Sequence, residues 1–581
     1  MARLTVTIIG SGFAGSILAR ALNRQGHRVF LCERATHPRF ALGESSTPLA
    51  ALCLERLARR YDLPDLACLA AYGRWLEHLP QLRRGLKRGF TFYLHRPGEP
   101  FWNGPANERR LLVAASPSDA VADSHWLRED VDAFLVEQAA AEGVEYLDGL
   151  ELATCEKLAS GFRLRGRRLG RPLQLRTDFV VDGSGADGFL ATRFGILRRD
   201  RTPLRTDLVF GHFEAVASFP EVAAARGAEL PPGPYPDEQA AIHHMLEEGW
   251  LYVLPFDHGA VSAGFVLDRS GSPGWLHELD VVGPDEAWHR LLTRYPTLLD
   301  QFGDARPVRR IERIRGLQRR LGRAAGKGWA LLPHTYCFLS PLYSTGIAWS
   351  LLAVERLALS LEDARRERTL RQRDIAVYEA TLEAEADHLS QLIPGAYTLR
   401  RDFDLFTEYS FLYFAAVSYA EAAQRLLPGP AGGGDWAWQA FLGADDPVIR
   451  QALLWALAAI NNLSEAPAPP AERAEFAAGI RHAIAARNVA GLADPMRNRL
   501  YPVDLDALIA DADKLGLTPE EIRGNLTSLR GDFEMVFPHP SGENTVTLAR
   551  DDPAPGTGSP RPRHSSRAAS GPPGRRSSEQ S

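Results

Sequence analysis

Val6-Thr-Ile-Ile9-Gly10-Ser-Gly12-Phe13-Ala14-Gly15 decides the fold of this chain. A β-rich run from Leu4 to Ile9 meets a glycine turn, and Ala14 to Gln25 then reads as a helix. Gly26 ends that helix, and Val29-Phe-Leu-Cys32 gives a second strand closing on Glu33. Glycines between a strand and a helix let the backbone turn tightly and approach a pyrophosphate, with the helix N-terminus facing its charge. Glu33 lies at the end of the second strand, where an acid takes a ribose hydroxyl pair. The unit therefore predicts dinucleotide binding through Gly10, Gly12, Phe13, Ala14, Gly15 and Glu33.

Outward from this unit the pattern stays α/β. A helix from Val131 to Glu142, a strand from Val144 to Leu147, and the strand and turn Phe179-Val-Val-Asp182-Gly183-Ser-Gly185 follow. Segments of β character lie at Phe90 to Leu94, Leu208 to Val216, Trp250 to Pro255 and Ala260 to Leu267. Phe256-Asp-His-Gly259 reads as a hairpin turn between the last two. A helix is expected from Ile347 to Glu362. From about Ser390 to Phe537 the pattern is mostly helical, broken by Pro428-Gly-Pro-Ala-Gly-Gly-Gly434 and Ala466-Pro-Ala-Pro-Pro470. Beyond Asp551 the Pro, Gly, Ser and Arg composition predicts disorder.

The 581 residues suffice for two or three structural units. A net charge of -5 gives no reason to expect nucleic acid or an anionic membrane. Five scattered cysteines without a CxxC pair argue against a metal knuckle or a disulfide framework and fit a cytoplasmic location. No apolar run approaches a membrane span.

Three further motifs carry chemistry. The first is the loop Gly43-Glu44-Ser45-Ser46-Thr47-Pro48. The second is Lys87-Arg-Gly89-Phe-Thr91-Phe92, and the third is Phe338-Leu-Ser-Pro341-Leu-Tyr343-Ser344-Thr345-Gly346. Each has a plain reading: a loop ending at a helix N-terminus, the end of a solvated basic run, and a capped helix start. The ordered set resembles the flavin-dependent halogenases of the tryptophan-halogenase-like superfamily, over roughly residues 1–390. Gly-Glu-(Ser/Ala)-x-x-Pro, Lys-x-Gly-x-Thr-Phe and Phe-x-x-Pro-x-x-Ser-x-Gly all match at their fixed positions.

The resemblance implies a p-hydroxybenzoate-hydroxylase-like flavoprotein: a Rossmann-like FAD domain with an inserted antiparallel sheet, and a C-terminal helical domain. The expected division is 1–390 for the core, with substrate-sheet strands from about 88–120 and 200–310. The helical domain would be 391–545 and the disordered tail 546–581. Ser45, Arg128, Asp182, Gly183 and Ile347 would join the cofactor set. Ser344, Thr345 and Gly346 would hold the halide, and Lys87 would receive hypohalous acid from the flavin. FAD would act as FADH2, reduced by a separate flavin reductase, because no second glycine fingerprint for a nicotinamide is found. No metal is expected.

Departures from the pattern narrow the substrate. Tyr343 stands where tryptophan halogenases carry a glutamate, and Trp250-Leu-Tyr252-Val-Leu254-Pro255 stands for their Trp-x-Trp-x-Ile-Pro strand. Leu331-Leu-Pro333-His334 replaces the usual Gly-Asp. Without the glutamate, a substrate activated already is expected: a phenol or pyrrole, free or tethered to a carrier protein, with Trp250 and Tyr343 on its side of the site. The rivals are a flavin monooxygenase of the same fold that hydroxylates or epoxidises, and an FAD-binding protein that does not halogenate. The aromatic segment from Phe403 to Phe414 reads as core packing or as the wall of a substrate tunnel.

Overall fold

A computed structural model describes residues 3–199, 202–270, 274–362, 368–430, 433–463 and 468–536. The expected tail beyond Asp551 lies outside the described residues. Residues 1–527 form one compact unit, and the chain from Ser528 is a second, helical as far as Val536.

The glycine turn is built as the sequence requires. Strand Thr5–Ile9 lies at the centre of a six-stranded sheet, beside Phe179–Asp182 on one side and Arg28–Cys32 on the other. Trp329–Leu331 and Glu145–Leu147 extend it in parallel, and the short Ala325–Gly326 strand closes one edge antiparallel. Val6 and Ile8 on one face and Thr7 on the other are wholly buried, so the sheet is covered on both faces, as parallel sheets are. Helix Phe13–Arg24 begins one residue before its expected start, and Arg128–Ala141 begins three before.

Gly10 holds φ at +98°, and a Cβ there would sit 2.4 Å from the Gly183 carbonyl oxygen. Both the backbone conformation and the contact demand glycine. Gly10→Ala is expected to lower the thermal midpoint by several degrees, read by circular dichroism. An unchanged midpoint would show that the two turns do not touch.

The second sheet carries strands Gly89–Leu94, Arg110–Ala114, Thr206–Glu214, Ala240–Leu246, Gly249–Pro255 and Val261–Asp268. The expected hairpin joins the last two in antiparallel register from Gly249↔Leu267 to Pro255↔Val261. Two junctions are parallel: Gly89–Leu94 with Ala240–Leu246, and Arg110–Ala114 with Leu500–Tyr501, which enters from the helical region. Apart from it, Arg84–Lys87 pairs with Asp123–Trp126 as a two-stranded ribbon.

A three-stranded sheet (Leu150–Lys157, Phe162–Arg168, Arg171–Thr177) was not expected, because its outer positions are charged and no face reads as continuously apolar. Helices Thr345–Glu362, Arg368–Leu399 and Phe403–Leu426 complete the site's surroundings. Among the described residues, no helix is long and apolar enough to cross a membrane.

Candidate active site

The glycine turn opens onto a charged pocket. A side chain at Gly12 would point toward Arg128, Asp132 and Arg39, at 3.4, 3.7 and 3.8 Å. Helix Phe13–Arg24 has no side-chain cap, and Phe13 N–H donates to Asp132 at 3.0 Å. Arg128 is buried, not a surface charge: it pairs with Asp132 and donates to the carbonyls of Leu42 and Gly43. Its guanidinium also lies 4.7 Å over the Phe13 ring.

Glu33 accepts from Ser11, Ala35 and Arg39. Burial raises its carboxyl, but Arg39 and these hydrogen bonds outweigh that and hold it below its ordinary value. The Arg128 and Arg39 guanidinium groups beside Gly12, with Asp132 holding Arg128 and the first helix N–H, fit the pyrophosphate of a dinucleotide at this helix N-terminus. Asp182 is wholly buried and accepts from Ser184 and Leu190, so its carboxylate orders its own turn. Gly183 N–H donates to Ile9, bringing that turn against the first.

The three chemical motifs, far apart in sequence, meet at Ser45 and Ser46. Ser344 Oγ donates to Ser45 Oγ at 3.0 Å. Lys87 Nζ donates to the Ser46 carbonyl at 2.5 Å. The 43–48 loop is thereby held between the lysine strand and the 338–346 loop, and Ser45 also bridges to His125.

Lys87 is 0 % exposed, with its ammonium 4.2 Å from the centre of the Phe90 ring. Burial lowers its pKa, partly opposed by Asp123, which stands directly opposite it in the ribbon. Burial likewise raises Asp123, and Lys87 opposes that rise. His125 and His243, both sensing the Lys87 charge, are held neutral by burial. Only four of the chain's 67 lysines and arginines are lysines. Lys87 shares full burial with Arg356, but unlike a guanidinium an amine can lose its proton there.

The 338–346 loop is strained. Tyr343 and Ser344 both adopt left-handed backbone, at φ 65° and 54°, a conformation that costs non-glycine residues free energy and is maintained by surrounding contacts. Tyr343 stacks on Tyr413 at 4.5 Å and shares a hydrogen bond with Ser410, and Tyr413 donates to the Tyr343 carbonyl. The helix begins at Thr345, two residues before its expected start, with Ile347 buried in its first turn.

Thr345 and Gly346 line a pocket with Pro333, His334, Phe338 and Trp349. His334 shares a 2.6 Å hydrogen bond with Ser350 through Nδ1, and a Cβ at Gly346 would lie 3.1 Å from its Nε2. Burial, with Arg128 and Arg319 nearby, holds the His334 ring neutral.

Beyond Lys87 stands an aromatic wall. His243 stacks between Phe92 at 4.6 Å and Trp250 at 5.1 Å. Phe406 and Phe414 lie against Phe92 and Phe90 from helix Phe403–Leu426. Trp250 Nε1 donates to Tyr397, which shares a hydrogen bond with Ser340 of the strained loop. The Phe403 to Phe414 segment is thus core packing placed against the lysine strand's neighbours.

Asp123, His243, His334 and Tyr413 were missed by sequence reasoning. For Asp123 the signal was present but short: a lone acid inside Ala122-Asp-Ser-His-Trp126, just before Arg128. The other three are placed only by tertiary packing.

A sequence model described as tryptophan halogenase matches residues 118–409, and one described as an NAD(P)-binding Rossmann-like domain matches 8–46. The chain is 28% identical over 428 residues to the monodechloroaminopyrrolnitrin halogenase PrnC of Pseudomonas fluorescens, covering 70% of each. It is 29% identical over 370 residues to tetracycline 7-halogenase of Kitasatospora aureofaciens, covering 62% of this chain and 64% of that one. The crystal structure of halogenase PltM in complex with phloroglucinol and FAD superposes with a TM-score of 0.76. Its 23% identity covers 86% of this chain and 99% of that one, a likeness of fold. With the family match spanning half its length, the chain belongs to the tryptophan halogenase family, a family of flavin-dependent halogenases.

Proposed function

We propose that this protein halogenates an electron-rich aromatic small molecule of the phenol or pyrrole class, using Lys87 as its catalytic residue. The observation that carries the reading is the buried Lys87, linked through Ser46, Ser45 and Ser344 to the loop bearing Thr345 and Gly346. Bound reduced FAD supplies, with O2, the two-electron oxidation that turns chloride or bromide into hypohalous acid.

Gly10, Gly12, Phe13, Ala14 and Gly15, with Arg128 beside them, hold the pyrophosphate. Glu33 takes the ribose, and the Asp182–Gly183 turn and Ile347 border the rest of the cofactor. Thr345 and Gly346, with Ser344 fixing the loop to Ser45, hold the halide at a helix N-terminus. Lys87, desolvated and facing an aromatic wall, presents the halogen to the substrate ring. Trp250 and Tyr343 frame that ring, and helix Phe403–Leu426, packed on Phe90 and Phe92, shields it from water. A separate flavin reductase delivers the reduced cofactor.

The substrate class is supported by the missing loop glutamate, by the pyrrolnitrin-type relative, and by the phenol in the PltM complex. The test is incubation of the protein with FAD, a flavin reductase, NADH and a panel of phenols and pyrroles. Products carrying halogen only when bromide is present are expected in the mass spectrum. Oxygenated products formed without halide would move the assignment to a monooxygenase.

A further inference from the structure

Lys87 has an unpaired neighbour. Asp123 faces it across the Arg84–Lys87 and Asp123–Trp126 ribbon, in direct register. Asp123 is 5% exposed, and its Oδ2 is buried without a hydrogen-bond partner. A carboxylate this buried is ordinarily paired or hydrogen-bonded, because leaving it unsatisfied costs free energy. Lys87 instead donates to the Ser46 carbonyl.

The groups around Asp123 offer no other use for it. His125, on the same face of its strand, is a neutral ring, as is His243, which senses Lys87 from the neighbouring sheet. Glu421 and Arg425 of helix Phe403–Leu426 act on Asp123 with opposite signs and are hydrogen-bonded to each other. Tyr413, next to the aromatic wall, senses the Asp123 charge. A carboxyl group with an unpartnered oxygen therefore stands opposite the lysine, close enough to Tyr413 beside the aromatic wall for its charge to be felt there. The halogenation of an aromatic carbon must release a proton, and Tyr343, wholly buried and hydrogen-bonded to Ser410, supplies no anionic base for it.

We propose that Asp123 is the proton acceptor of the halogenation step, supplied from the strand opposite Lys87 and not from the 338–346 loop. This inference rests on the function proposed above. In the step, the ring carbon bonds to halogen as the O–X bond of hypohalous acid breaks. The Lys87 ammonium gives its proton to the departing oxygen, forming water. Asp123 takes the proton from the halogenated carbon, and the C–H electron pair restores the aromatic ring. Transfer of that proton from Asp123 to the Lys87 amine resets the pair. The sum is HOX + ArH → ArX + H2O, and no further oxidant is consumed.

Two measurements test the proposal. Lysine labelled with 13C at Cε gives four signals to follow, with Lys87 assigned by its loss in Lys87→Arg. Asp123→Asn is expected to move the Lys87 titration midpoint down by at least about half a pH unit, because an opposing charge is removed. An unmoved midpoint would overturn the proposal, and this arm needs no substrate.

The second measurement compares ring-protiated and ring-deuterated forms of the phenol or pyrrole that the wild type halogenates, in wild type, Asp123→Asn and Asp123→Glu. In Asp123→Asn the rate is expected to fall about 100-fold, with the isotope effect rising from near 1 to about 2 or more as proton loss becomes limiting. Asp123→Glu is expected to recover part of the rate. A fall in rate with an isotope effect still near 1 would reduce Asp123 to a structural neighbour, and an unchanged rate would remove it from the reaction. A wild type that halogenates nothing on the panel would count against the function reading instead, leaving the titration arm to decide the pair.

Discussion

Lys87→Ala is expected to lower the halogenation rate by about 1000-fold or more, an increase of about 4 kcal/mol in the barrier, while FAD affinity stays within about 2-fold. Lys87 lies in the ribbon between Ser46 and the Phe90 ring and touches none of the groups that surround Gly12. Cofactor binding and halogen transfer are therefore separable by mutation. Lys87→Arg is expected to fail equally, since a guanidinium keeps its proton at any working pH and cannot give it to the departing oxygen. Flavin fluorescence titration and product quantitation on the same preparations check both halves. Loss of FAD binding in Lys87→Ala would mean that the lysine organises the pocket and does not act on the halogen.

The second large effect is on stability. Glu385 in helix Arg368–Leu399 is fully buried and accepts from both terminal nitrogens of Arg356, from Trp349 Nε1 and from Phe441 N–H. Arg356 also donates to the carbonyls of Ala437 and Gln439. One carboxylate thus ties helix Thr345–Glu362, which begins at the halide loop, to a second helix and to the 436–443 segment. Glu385→Ala leaves the Arg356 charge buried without a counter-charge, a change that costs about 3–5 kcal/mol. A large fall in the urea midpoint is expected. Replacing both partners with apolar residues of similar size, as in Arg356→Met with Glu385→Leu, is expected to recover much of it. Equal midpoints for Glu385→Ala and the wild type would contradict the reading of this pair as a structural tie.

How much of this was legible beforehand depends on the range of the interactions. The glycine turn, the helix after it and the Trp250 hairpin are fixed by neighbours within a few residues, and they appear where the sequence puts them. Lys87, Ser344, Thr345 and Gly346 were marked by local motifs, yet the meeting of Lys87 and Ser344 at Ser46 and Ser45 needed the folded chain. Asp123 shows the limit. Its partner lies 36 residues earlier in a short ribbon whose strands are only four residues each, and neither strand has a periodicity that would announce the pairing. Arg128 sits at a helix start, where sequence alone does not show burial, because the Asp132 beside it and the Leu42 and Gly43 carbonyls become a buried cage only when the 43–48 loop folds back. The left-handed backbone at Tyr343 and Ser344 was invisible for a different reason. Neither residue favours that conformation, and tertiary contacts from Ser410, Tyr413 and Ser45 impose it.

The central claim is that Lys87 drives the transfer of halogen to an aromatic ring. The most direct measurement runs wild type and Lys87→Ala side by side with reduced flavin, oxygen and bromide, and reads the product by mass spectrometry. The account predicts the paired bromine isotope pattern in wild type, its absence without bromide, and its absence in Lys87→Ala at equal flavin loading. A brominated product formed equally by both proteins would contradict it.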